Sequence, residues 1–105
     1  MNFYIAHNEE IACNYNEHGY ACTELLPGTN DGSIRSYKYF LKAGCRVAPE
    51  LYADKLVLIM FGKGEGYVCD AKTANEIREL CFYAPEFDQT PYEIQAYTDM
   101  EFVLN

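Results

Sequence analysis

Hydrophobic positions in this sequence come in short runs, each stopped by glycine, proline or a cluster of Asn, Asp and Ser. That spacing predicts strands and turns. Phe3 to Ala6 is a first run, and the polar stretch from His7 to His18 carries no period. Tyr20 to Leu26 is the next strand, ended by Pro27-Gly28, and Thr29-Asn30-Asp31-Gly32-Ser33 supplies a tight turn. Across Ile34 to Ala43, alternation puts Tyr37, Tyr39 and Leu41 on one face and Lys38, Phe40 and Lys42 on the other. Arg46 to Tyr52 reads as a short extended segment around Pro49.

Leu56 to Phe61 is a continuous apolar run of strand length, which predicts burial on both faces. Gly62-Lys63-Gly64-Glu65-Gly66 then reads as the tight turn of a hairpin, with Gly66 to Ala71 returning. A phosphate-cradling loop is the other reading of these glycines, but no Lys-Ser/Thr follows and no helix begins. The stretch from Asp70 to Glu79 holds helix formers, yet a loop leading into a strand over Ile77 to Tyr83 fits its length better. Glu86 to Pro91 is a turn, and Tyr92 to Tyr97 with Glu101 to Leu104 forms a closing hairpin. Ten tyrosines and six phenylalanines add to the preference for sheet. The sum is an all-β chain of one domain, with 1–19 as an irregular arm and 20–105 as a small antiparallel β-barrel or sandwich.

Charge narrows the partners. Sixteen acids against eight Lys and Arg leave a formal charge of -8, which repels phosphate backbones and anionic membrane surfaces. Neither nucleic acid nor membrane is an expected partner. Arg35, Lys38, Lys42, Arg46 and Lys55 make a basic middle, either solvated charges on a strand or cations facing a pocket for an anion. Five cysteines, with no Cys-x-x-Cys, argue against a disulfide framework or zinc ribbon and predict buried thiols in a reducing compartment. No basic leader opens the sequence and no run approaches the roughly 18 apolar residues of a membrane helix. A cytoplasmic location is expected. Aromatic richness in so small a domain predicts a homodimer formed by sheet packing or strand-edge pairing.

The order of these pieces resembles the cupin family. Gly44, five residues, Glu50-Leu51-Tyr52, then Lys55, six residues and Gly62 follow the frame of the first cupin motif. Pro85, Thr90 or Pro91, and Gln95 follow the second. The resemblance covers about residues 36 to 104 and implies a double-stranded β-helix, the cupin-like jelly roll. It also implies histidine ligands for a divalent metal. Here Glu50 and Tyr52 stand where the paired histidines would be, Asp54 or Lys55 where the acid would be, and His7 and His18 match no motif position. No metal and no other cofactor is therefore expected.

If Glu50 and Tyr52 face inward with Gln95 opposite and Arg46 at the rim, these four would bind a small polar, sugar-like metabolite in the barrel. The expected role is non-catalytic, in sensing or dimerisation. The alternative is an enzyme, such as a sugar isomerase or epimerase, using Glu50 or Tyr52 as acid or base.

Overall fold

The computed structural model describes residues 11–25, 36–49, 58–70, 73–84 and 91–105. Nine strands run through them: β1 (Tyr20–Leu25), β2 (Ser36–Leu41), β3 (Arg46–Val47), β4 (Ile59–Lys63), β5 (Gly66–Cys69), β6 (Ala74–Ile77), β7 (Cys81–Tyr83), β8 (Glu93–Ala96) and β9 (Met100–Leu104). They form two antiparallel sheets, ordered β1-β2-β9-β4-β7 and β3-β8-β5-β6. Of the successive strand pairs only β1–β2 and β5–β6 stay within one sheet, and at every other step the chain passes to the opposite layer. This is the jelly-roll order expected from the sequence.

Alternation on β2 and β9 turns Leu41, Met100, Phe102 and Leu104 inward, where they meet Ile59 and Phe61 of β4 and Val68 and Ile94 of the other sheet. Aromatic rings cross the larger sheet in a row. Tyr39 stacks on Phe102 at 5.0 Å between centroids, and Phe102 meets Phe61 at 5.3 Å. Both contacts are cross-strand pairs of the register. On the outer face of the same sheet, Lys38 is buried and its Nζ lies 3.2 Å from Glu101 Oε1. The other oxygen of Glu101 lies 3.6 Å from Nζ of the exposed Lys63.

Five sequence expectations change. The run ending at Phe61 is buried on one face only: Ile59 and Phe61 face the core, while Leu58 and Met60 are 42% and 37% exposed. β4 sits in a sheet with one face against the core, so the apolar run gives β4 an outer surface as well. Leu56 and Val57 lie outside the described residues. The glycine stretch makes no hairpin, because β4 pairs with β7 and β9 while β5 pairs with β6 and β8. It is a corner between sheets. The closing hairpin is likewise a corner, since β8 and β9 belong to different sheets. Finally, Ala74 to Ile77 is a strand, joined to β5 by a turn in which Asp70 Oδ1 accepts from Thr73 N at 2.8 Å. The cysteines are also less buried than expected, with Cys13 and Cys22 exposed and Cys45, Cys69 and Cys81 half-buried.

The corners bind one another. Glu65 O accepts from Tyr97 N and Thr98 N, and Glu65 N donates to Thr98 Oγ1 at 2.9 Å. Asp99 Oδ1 accepts from Ala43 N, and Gly44 N donates to Ala96 O. Gly64 has φ +88 and its missing Cβ would meet the Asp99 backbone. Gly66 lies against the Gln95 carbonyl and Met100 Sδ, also with no room for a Cβ. Among the described residues no helix is long and apolar enough to cross a membrane.

Two stability predictions result. Gly66→Ala should cost about 2–3 kcal/mol, because the opposing carbonyl is backbone and cannot rotate away. Urea denaturation measures this, and a loss within error of zero would contradict the close packing of the corners. Glu101→Ala should cost about 2–4 kcal/mol by stranding the buried Lys38, whereas Lys63→Ala should cost under about 1 kcal/mol. Equal losses for the two variants would show that Lys38 does not depend on its partner.

Candidate functional site

A cleft of about 450 Å³ opens beside the short strand β3, lined by His18, Tyr20, Cys45, Arg46, Val47, Ala48 and Glu93. Two turns build it. In the first, Asn16 Oδ1 accepts from His18 N (2.9 Å) and Tyr20 N (3.2 Å), and Gly19 N donates to Asn16 O. This side-chain-to-backbone turn is what Asn does best before a strand. The second is the β2→β3 corner, where Cys45 N donates to Lys42 O at 3.0 Å. Lys42 N donates to Gly19 O at 2.8 Å and ties the turns together. Cys45 Sγ packs directly against Gly19, leaving no space for a side chain there. The thiol is thus part of the wall. No histidine could be set beside a thiol from sequence alone, yet the fold brings His18 and Cys45 to one cleft.

The polar groups of the cleft have distinct roles. Arg46 is 72% exposed, and its Nη1 is 3.8 Å from Glu93 Oε1. That same oxygen accepts from Gln95 Nε2 at 2.9 Å. Glu93 is therefore held mainly by Gln95, and the Arg46 guanidinium keeps donors open to the cleft. The His18 and Tyr20 rings lie nearly parallel, 6.4 Å apart, and give a flat wall. A cation, a carboxylate and a ring platform can grip an anionic group and hydroxyls on one small molecule.

The expected convergence inside the barrel is not what the register gives for Gln95 and Arg46. Ile94 and Ala96 take the inward positions of β8, so Glu93 and Gln95 point outward. Val47 takes the inward position of β3, so Arg46 points outward too. The two are cross-strand partners. They are neighbours on the outer face, linked through Glu93, which sequence reasoning missed. Tyr67 is the next neighbour in that row. Its phenol is pushed above the usual tyrosine range by its hydrogen bond to the Tyr97 hydroxyl, 3.2 Å away, and by the charge of that neighbour. Glu50 and Tyr52 lie outside the described residues, as do Asp54, Lys55, Pro85 and Thr90.

A cupin-type metal does not fit this donor set. On the motif resemblance, Glu50 and Tyr52 would stand where paired histidines are expected, and they lie outside the described residues. Among the described residues no three His, Cys, Asp or Glu side chains gather closely enough to hold an ion. His18 sits on the outer cleft, where the surrounding groups are Arg46, Tyr20 and a packed thiol.

No family model and no curated protein matches the chain. Solved structures do. An RmlC-like cupin protein from Desulfovibrio desulfuricans superposes with a TM-score of 0.75 at 16% identity, over 97% of this chain and 94% of that one. Ectoine synthase from P. lautus gives 0.76 at 18% identity, over 97% and 75%. Salicylate 1,2-dioxygenase from Pseudaminobacter salicylatoxidans gives 0.69 at 17% identity, over 92% of this chain but 28% of that one. At these identities the likeness concerns architecture, and the strand order, the sheet-changing corners and the superpositions agree that the chain has the cupin fold.

Proposed function

We propose that the chain is a non-catalytic binding module for a small polar metabolite, sugar-like and carrying one carboxylate or phosphate, held in the cleft beside β3. The observation that supports this best is Arg46, a mostly exposed guanidinium in a cleft of about 450 Å³ whose neighbouring carboxylate is engaged by Gln95. That volume falls within the usual range for small-ligand sites. Among the described residues the largest fully buried side chains, Phe61, Phe102, Leu41, Ile59, Ile94, Met100 and Val68, are all apolar, which favours an outer cleft for a polar ligand. Glu50 and Tyr52 follow β3 closely in the chain and remain candidates for the same ligand. The module works free of nucleic acid and membrane, in the reducing cytoplasm, in keeping with its acidic charge and unpaired thiols.

Two measurements test this. Titration with a panel of sugar phosphates and sugar acids, followed by amide shifts, should move the signals of His18, Arg46 and Glu93. Arg46→Ala should then weaken binding by about 1–3 kcal/mol. Shifts confined to other strands, or unchanged affinity in the variant, would move the site elsewhere. Elemental analysis of protein purified without chelator should find far less than one transition-metal ion per chain. One equivalent of Fe, Mn, Ni or Zn would overturn the metal-free reading.

A further inference from the structure

The cleft beside β3 continues into a row of side chains on the outer face of the smaller sheet. Arg46 on β3 pairs with Gln95 on β8, Gln95 with Tyr67 on β5, and Tyr67 with Glu76 on β6. All four point away from the core, because Val47, Ile94, Ala96, Val68 and Ile77 hold the inward positions. Neighbouring strands are about 4.8 Å apart, so Arg46 and Tyr67 stand about 10 Å apart along the row. Glu93 joins cleft and row, since it lines the first and holds Gln95 in the second.

The chemistry changes along the row. Arg46 puts an exposed guanidinium at one end. Gln95 uses its amide nitrogen on Glu93, which leaves Oε1 to accept. Tyr67 and Tyr97 follow as a pair, rings edge to face at 5.0 Å and hydroxyl oxygens 3.2 Å apart. One bond between two hydroxyls leaves one of their protons free for another acceptor. The Tyr97 ring is 66% exposed. Carboxylates stand at the far end. Glu76 accepts from Arg78 Nε at 3.2 Å, and the exposed Glu65 sits at the corner where its backbone carbonyl accepts from Tyr97 N.

We propose that the ligand is a two-ring glycoside, its anionic ring at Arg46 and a second, uncharged sugar ring over Gln95 against Tyr67 and Tyr97; this rests on the reading of the cleft given above. The length of the row suits two linked rings better than one. The order of charge fixes the direction. Glu65 and Glu76 repel a second anionic group but accept from sugar hydroxyls, so the carboxylate or phosphate belongs at the Arg46 end. The surface suits a sugar as well. A pyranose has an apolar C–H face and a polar rim, and here aromatic rings lie beside an amide oxygen and two phenols.

Calorimetric titration of the full chain with two pairs of probes tests this: glucose 6-phosphate against trehalose 6-phosphate, and glucuronate against cellobiouronate. The members of each pair differ by one uncharged ring. The two-ring member of at least one pair should bind about tenfold more tightly. Tyr67→Ala and Tyr97→Ala should each remove that advantage and leave the one-ring affinity unchanged. Phe82→Ala, an exposed aromatic of the larger sheet, should change neither. Arg46→Ala should weaken both members alike. If Tyr67→Ala does not fold, Tyr97→Ala decides, because its ring is mostly exposed. Equal affinity within both pairs, an advantage that survives the tyrosine variants, or an equal loss in Phe82→Ala would overturn the second-ring site and leave the cleft reading standing. No binding of any probe, or binding indifferent to Arg46→Ala, would overturn the cleft reading and this inference with it.

Discussion

The fold depends on how the chain satisfies its backbone where it leaves one sheet for the other. At a corner, amides and carbonyls lose their ladder partners and must find others. Here they find the next corner. Glu65 offers its carbonyl to Tyr97 and Thr98 and its amide to the Thr98 hydroxyl, while Asp99 caps Ala43 and Ala96 holds Gly44. Each corner is thus completed by another that is distant in sequence. None can shift without exposing the polar groups of its neighbour, so the register of β4, β5, β8 and β9 is set together. Gly64 and Gly66 permit the approach, because at both positions the space of a side chain is taken by backbone.

This lock divides the polar and apolar surfaces. With the corners closed, each strand has one inner and one outer row, and the inner rows of both sheets meet as an apolar core. Polar residues of β3 and β8 are left on the outer row, where Arg46, Glu93 and Gln95 become neighbours. The candidate site is then a product of register. Its other wall comes from the Asn16 turn, which is fastened to the β2→β3 corner through Gly19 and Lys42. A change at Gly19 would act on the cleft by displacing Cys45, without touching a polar lining residue.

Strong alternation was legible. β2 and β9 read directly from their tyrosine, phenylalanine and leucine positions, and β1 from the run before Pro27. The sheet-changing corners were not legible, because glycine-rich turns have the same local chemistry in a hairpin and in a corner. Only the distant partner of each strand distinguishes the two. β6 was hidden for another reason: as an edge strand it buries Ile77 alone, so Ala74, Asn75 and Glu76 carry no apolar alternation. The side on which Gln95 falls could have been read. Ile94 and Ala96 alternate with Glu93 and Gln95, which marks the polar pair as outward. Arg46 was harder, since a two-residue strand before Pro49 has no pattern of its own. Asn16 with Gly19 three residues later was the available signal for the turn that frames the cleft.

A two-layer sandwich of this order leaves four end strands among those described, β1 and β7 in one sheet and β3 and β6 in the other. Unpaired ends invite association, and each needs some form of cover. On the β1–β3 side the Asn16 turn packs against the corner next to β3, and the edge becomes one wall of a polar cleft. On the β6–β7 side the charged pair Glu76 and Arg78, 3.2 Å apart, protects the short strand β6. β7 has instead an exposed phenylalanine and the apolar row of β4 beside it. The two margins therefore differ in chemistry: one is lined by polar and charged side chains, the other exposes apolar ones. β3 and β7 end different sheets, so the two margins share no strand. A change at one margin reaches the other only through the strands and corners between them, which the interlocked corners hold in one register.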